Sequence, residues 1–115
     1  MGVRTLTVAM LAGTLLAAFA AAPARAFECP AHFDAAQAEI DRVGKALSAA
    51  DQASPADRAL VHALLDDARM LLSGARHDHE KPQGAYDHAR AIAKADSALG
   101  YARAAERMLA RIDKN

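Results

Sequence analysis

Residues 54–75, which read SPADRALVHALLDDARMLLSGA, contain the clearest secondary-structure pattern of the chain. Ser54 and Pro55 are typical of a helix start, because serine caps free backbone N–H groups and proline lacks the N–H that a first helical position leaves unused. Apolar residues then recur at spacings of three and four, which is the period of a helix with one buried face. They are Val61, Leu64, Leu65, Ala68, Leu71, Leu72 and Ala75. The stretch therefore predicts a helix over about residues 55–76.

The same period recurs on both sides of this helix. It predicts one helix over about residues 31–50 and, after a turn at residues 78–84, another over about residues 85–112. The upstream stripe is Phe33, Ala36, Ile40, Val43, Leu47 and Ala50, and the downstream stripe is His88, Ile92, Ala95, Leu99, Ala102, Ala105, Met108, Leu109 and Ile112. No stretch alternates apolar and polar residues, which argues against strands. Because short connections make neighbouring helices antiparallel, we predict an all-α, antiparallel three-helix up-down-up bundle.

The first 26 residues are organised like an export signal. Arg4 gives a positively charged start, residues 6–22 form an uncharged run rich in leucine and alanine, and residues 24–26 (Ala-Arg-Ala) match the motif that a signal peptidase cleaves. The alternative is a membrane anchor, but the run is at the short end of a membrane span and Pro23 interrupts it. We therefore expect a cleaved signal peptide and a periplasmic protein with no stable membrane insertion after cleavage.

The composition of the remaining residues, 27–115, excludes several function classes. This length allows a single helical domain, and its 12 basic and 14 acidic side chains give no reason to bind nucleic acid. No Cys-x-x-Cys-His motif for haem c is present, and neither is a phosphate-binding loop, a His-Glu-x-x-His motif or a nucleophile elbow. A small alanine-rich bundle also has little room for a substrate pocket. We therefore expect that the protein is not an enzyme.

Histidines and carboxylates cluster around the predicted turn between the second and third helices. They are His77, His79, Glu80, Asp87 and His88. Imidazole nitrogens and carboxylate oxygens bind divalent transition metals such as copper, zinc and nickel when three or four of them converge. The sequence thus predicts a metal site whose ligands are the three histidines, with either carboxylate completing the shell. The alternative is a solvated turn in which His88 only caps the core.

Two residues near the start of the first helix are further candidates for this site. Cys29 is the only cysteine, and a thiol at a helix N-terminus is expected to have a lowered pKa because it lies beside exposed N–H groups. In an up-down-up bundle the first and third helices start at the same end, so Cys29 and His32 would lie near the turn. A single cysteine in an exported protein also allows an intermolecular disulfide, and hence a homodimer.

Residues 59–63 (ALVHA) and 86–94 (YDHARAIAK) resemble the small metal-binding proteins of the bacterial periplasm, and the resemblance covers mainly residues 59–110. It implies a short bundle of alanine-rich helices with recurring His-Ala steps, which binds several divalent metals, copper included, with little selectivity. The family carries more histidines, whereas this chain has other residues at the later positions, namely Ala95, Leu99 and Tyr101. The resemblance therefore implies a reduced site near His62, His77, His79 and His88.

These observations support two hypotheses of different classes. In the first, an exported helical protein binds a divalent transition metal for buffering or transport and catalyses nothing. In the second, a ligand-free envelope interaction or structural protein acts through helix packing or a Cys29 intermolecular disulfide, which would compensate for a core with few aromatic residues. Non-covalent haem held by His88 and Met108 is a weaker alternative, because the two residues lie more than five turns apart on one helix.

Overall fold

The computed structural model describes residues 28–114. These residues form three α-helices, α1 (Cys29–Ala49), α2 (Pro55–Glu80) and α3 (Ala85–Ile112), and no strand. The predicted all-α class with three helices is confirmed. None of the three helices combines the length and the apolar character that crossing a membrane requires. The predicted signal peptide lies outside the described residues.

Helix α1 buries one face and is capped by a side chain from α2. Its buried residues are Cys29, Phe33, Ala36, Ile40, Val43 and Leu47. After the helix ends, the guanidinium of Arg58 donates to the backbone carbonyls of Leu47 at 3.0 Å, of Ala50, and of Ala53 at 3.4 Å. A cation is stabilising beside the free carbonyls of a helix C-terminus. Arg58 therefore fixes the first turn of α2 to the end of α1.

Helix α2 starts where the sequence predicts and ends later. Ser54 Oγ accepts a hydrogen bond from the Asp57 backbone N–H at 3.1 Å, which caps the helix. The helix then continues past Gly74 to Glu80, instead of ending near residue 76. Lys94 of α3 lies against Gly74, where an added Cβ would come 3.4 Å from the lysine Nζ. Contacts with α3 thus stabilise the helical conformation of residues that the sequence assigns to a turn.

Helix α3 presents an almost pure alanine face to the rest of the molecule. Its buried residues are Ala91, Ala95, Ala98, Ala102, Ala105 and Leu109, and the five alanines are completely buried. The sequence predicted Ile92 and Leu99 on the central line of this face, but both are only partly buried and lie at its sides. Small side chains along the contact line let neighbouring helices approach closely. Protein interiors are close-packed, so larger side chains on this line would hold the helices further apart.

The buried residues form two clusters along the molecule. The first cluster contains Cys29 and Phe33 of α1, Ala75 of α2 and Ala91 of α3, together with their buried neighbours. The second cluster consists of Val43, Leu47, Ala50, Ala53, Val61, Leu65, Ala105 and Leu109. Contacts between α2 and α3 are the most extensive, and those between α1 and α2 are the fewest. The first cluster therefore brings together the start of α1, the last turns of α2 and the first turns of α3.

Candidate metal site

One side chain from each helix converges at the end of the first cluster. Cys29 of α1, His79 of α2 and His88 of α3 each offer one donor atom, and the three atoms lie within 4.8 Å of one another. Within residues 28–114 this is the only group of three or more cysteine, histidine or acidic side chains that converge in this way. Thiolate sulfur and imidazole nitrogen are ligands of transition metals. The arrangement is thus able to bind a metal ion.

Cys29 is buried, and the two histidines are half-buried beside the aromatic ring of Phe33. The His79 ring stands edge-on to the Phe33 ring, with centroids 5.5 Å apart, and edge-on to the His88 ring at 5.6 Å. Cys29 is completely buried, and its Sγ lies 3.8 Å from the His88 carbonyl oxygen. The Nδ1 atoms of both histidines are buried, and no protein group hydrogen-bonds to them. Because unsatisfied buried nitrogens are destabilising, a coordinated cation is a natural partner for this pair of rings.

The Cys29 thiol does not have the lowered pKa that its position at a helix N-terminus led us to expect. Burial raises the pKa of Cys29, with a further small rise from the Glu28 carboxylate, against the lowering effect of a backbone hydrogen bond. A thiol with a raised pKa is a weak nucleophile at neutral pH. Since Cys29 is completely buried, it also offers no surface to a second copy of the chain. Burial therefore disfavours a reactive or cross-linking thiol, and a metal ion would have to displace the thiol proton in order to bind here.

Only two of the five ligands predicted from the sequence lie in this cluster. His79 and His88 belong to it, whereas the His77 side chain is 72% exposed and Glu80 is exposed. Asp87 instead accepts a hydrogen bond at 2.6 Å from a backbone N–H of the preceding turn. The reason is that α2 continues to Glu80: residues two apart on a helix point about 200° apart, so His77 and His79 face opposite sides.

The two remaining histidines also lie outside the cluster. His32 follows Cys29 by one turn, but its Nδ1 is 2.6 Å from Asp96 Oδ1, so it joins α1 to α3 at another point. His62 is exposed in the middle of α2. Of the candidates in α1, only Cys29 therefore joins the predicted histidines.

Next to His79, Asp78 forms an ion-pair cluster that sequence reasoning missed. It is 5% exposed, and its carboxylate accepts two hydrogen bonds from Arg90, at 2.7 and 2.9 Å, while Lys94 Nζ lies 2.8 Å away. Hydrogen bonds from Arg90 and then Lys94 hold the pKa of Asp78 far below its usual range. Asp78 precedes His79, and Arg90 follows His88 by two residues. The ion pair between Asp78 and Arg90 therefore fixes the helical turns that carry the two histidines against each other.

We expect Asp78→Asn to reduce the acid sensitivity of the fold. The folded-state pKa of Asp78 lies below the unfolded value of about 3.9, so its ion pairs stabilise the protein fully above that pH and lose this effect as the pH falls through the folded value. Thermal unfolding followed by circular dichroism between pH 2 and pH 7 measures this. The variant should have a lower Tm at pH 7 and a shallower decline below about pH 4.

The matched control for this prediction is Asp66→Asn. The Asp66 side chain is 71% exposed and pairs with Arg69 one turn away at 2.9 Å. Exposed pairs of this kind contribute little to stability. Equal pH profiles for the two variants would contradict the prediction.

No protein-family model, curated protein or solved structure matches the chain.

Proposed function

We propose that the chain is an exported, non-catalytic helical protein that binds a transition-metal ion between its three helices and buffers or carries it. The observation that carries this proposal is the convergence of Cys29, His79 and His88 within 4.8 Å. One ligand comes from each helix, so a bound ion would join all three. Export to the periplasm is proposed from the sequence of residues 1–26.

The surroundings of the three side chains support binding of an ion rather than turnover of a substrate. Three surface clefts of the described chain contain none of these side chains. A catalytic metal centre needs a coordination position that opens onto a substrate pocket. Here the thiol is completely buried, and one histidine ring packs against Phe33.

The proposal includes the up-down-up arrangement of the helices. Along α1 and α3, contacting partners advance in the same direction: Cys29 lies by His88, and Arg42 Nη2 lies 2.7 Å from Glu106 Oε1. Along α2 and α3 they advance in opposite directions, since Asp78 pairs with Arg90 while Leu65 shares a cluster with Leu109. This arrangement supports a site built from the start of α1, the end of α2 and the start of α3.

The alternative, a ligand-free interaction or structural protein, finds less support. The large apolar side chains that are exposed are Leu60, Met70, Tyr86 and Tyr101. They are separated by ten residues on α2 and by fifteen on α3, and single exposed apolar side chains are common on soluble proteins. A continuous apolar stripe or an accessible thiol would favour that role, and the described residues present neither.

Titration of the reduced, purified protein with Cu⁺, Zn²⁺ and Co²⁺ tests the proposal. We expect one ion per chain, with a thiolate-to-metal charge-transfer band when Co²⁺ is the probe. His79→Ala and His88→Ala should each weaken binding by about 100-fold or more, because loss of a ligand exceeds the effect of losing a residue that only orients one.

The matched controls are His77→Ala and His62→Ala, which remove exposed histidines of α2. Their affinities should stay within about threefold of the original protein, because neither ring reaches the cluster. Absence of binding by all three ions, or an equal loss in the His77 variant, would contradict the proposed site.

A further inference from the structure

We infer that the ion selected by this site is copper(I) rather than a divalent ion. The inference rests on the proposed function and names the cargo. It follows from three properties of the cluster: the number of donors, the charge of the complex and the softness of the thiolate.

The described residues supply three donors and no fourth. The nearby carboxylates of Asp78 and Asp87 are occupied, the first by Arg90 and Lys94 and the second by a backbone N–H, and the residues Glu28 and Glu80 are exposed. Zn²⁺ in structural sites is almost always bound by four ligands in a tetrahedron. Cu⁺ is a filled-shell ion that is satisfied by three ligands in a plane. A donor set of one thiolate and two imidazoles therefore completes the shell of Cu⁺ with protein ligands alone, whereas Zn²⁺ would need a water molecule as its fourth ligand.

The charge of the complex favours a monovalent ion. One thiolate and two neutral imidazoles carry a charge of −1, so a Cu⁺ complex is neutral and a complex with a divalent ion keeps a charge of +1. The site lies against Phe33 and shares its cluster with Ala75 and Ala91, and burial of net charge in such surroundings is unfavourable. The adjacent ion pairs set two cations, Arg90 and Lys94, against the two carboxylates of Asp78 and Asp87, so they offer no uncompensated negative charge.

The thiolate among the ligands disfavours Ni²⁺ and other ions that prefer nitrogen and oxygen donors. Thiolate is a soft ligand that selects Cu⁺ over hard cations, whereas Cu²⁺ and Ni²⁺ favour square or tetragonal sets of nitrogen and oxygen. A trigonal His₂Cys set also holds Cu²⁺ in blue-copper sites, where a weak axial methionine, glutamine or backbone oxygen completes it. The His88 carbonyl oxygen lies 3.8 Å from Cys29 Sγ, so the charge of the complex, and not the donor set, separates Cu⁺ from Cu²⁺ here. The methionines of the described helices lie elsewhere: Met70 is 70% exposed, and Met108 packs against the second cluster.

Competition between Cu⁺ and Zn²⁺ under anaerobic conditions tests this inference. With a chromogenic Cu⁺ chelator as the reference, we expect one tightly bound Cu⁺ per chain that a 100-fold excess of Zn²⁺ does not displace. Cys29→Ser should weaken Cu⁺ binding by about 100-fold or more, while His77→Ala leaves it unchanged. X-ray absorption of the copper form should show one sulfur and two nitrogen ligands, and circular dichroism checks that each variant is folded.

The possible outcomes separate this inference from the proposed function. If Zn²⁺ binds as tightly as Cu⁺ or more tightly, the inference is overturned while metal binding at the cluster stands. A fourth protein ligand in the absorption spectrum, or a stable blue Cu²⁺ form in air, would also overturn it. If neither ion binds, both the inference and the proposed function fail.

Discussion

Leu65→Ala is expected to lower the free energy of unfolding by about 2–5 kcal/mol. Leu65 is completely buried in the second cluster, where it lies with Leu47, Ala105 and Leu109. The facing alanine of α3 is too short to fill the cavity that the substitution leaves, so little of the loss is recovered. A domain of this size has a total stability of roughly 4–13 kcal/mol, so the variant loses a large share of it. Urea denaturation followed by circular dichroism measures the change.

The control for this prediction is Leu60→Ala on the same helix. Leu60 is 55% exposed, and surface substitutions of this kind usually change stability by less than about 0.5 kcal/mol. A similar loss of stability in both variants would contradict the packing described for α2, because it would mean that Leu65 is no more buried than Leu60.

Saturation with the bound ion is expected to raise the Tm by about 10 °C or more. An ion that binds only the folded chain, present at 100 times its Kd, adds about 2.7 kcal/mol of stability. For a domain of this size each kcal/mol shifts the Tm by roughly 4–8 °C. Cys29, His79 and His88 come from three different helices, so unfolding of any one helix would break the site. Thermal unfolding with and without the ion measures the shift.

Cys29→Ser and His77→Ala test whether this stabilisation comes from the proposed ligands. The serine variant should lose most of the shift, because a hydroxyl is a poor substitute for thiolate toward a soft ion. The alanine variant should keep the full shift, since His77 lies outside the cluster. An ion-dependent rise that survives Cys29→Ser would place the bound ion elsewhere.

Helical periodicity predicted the three helices but not the end of α2. The cap at Ser54 and the stripe from Val61 onward are local signals, and they appear in the structure as predicted. The stretch around Gly74 and Asp78 has the composition of a turn, and local rules end the helix there. In the structure, Asp78 is paired with Arg90 and Lys94. This stabilisation comes from another helix, which a local pattern does not contain.

The predicted end of α2 also explains why the sequence groups His77 with His79. A His-x-His pair in a flexible turn is able to converge on one ion, and this is the arrangement that the sequence predicts for His77 and His79. On a continuous helix only His79 faces inward, since it follows the buried Ala75 by four residues. Cys29 likewise precedes the buried Phe33 by four residues. Extending each apolar stripe by one helical step places His79 and Cys29 on the inward faces of their helices and leaves His77 outside.

The face of α3 shows a further limit of periodicity. Ile92 and Leu99 are the largest apolar residues in their part of α3, so hydrophobicity placed them at the centre of its buried stripe. In the structure that line is occupied by alanines such as Ala91 and Ala98. How closely two helices approach decides which residues fit between them, and that distance is a property of the assembled bundle.

The three ligands all belong to terminal turns: Cys29 is the first residue of α1, His79 the last but one of α2, and His88 the fourth of α3. Helix ends open at a much smaller free-energy cost than a whole domain. Fraying at this single end separates the ligands while the second cluster, with Leu47, Leu65 and Leu109, stays packed. The residence time of the proposed ion would thus be governed by local opening and not by the lifetime of the fold, so its release would not require unfolding of the whole domain.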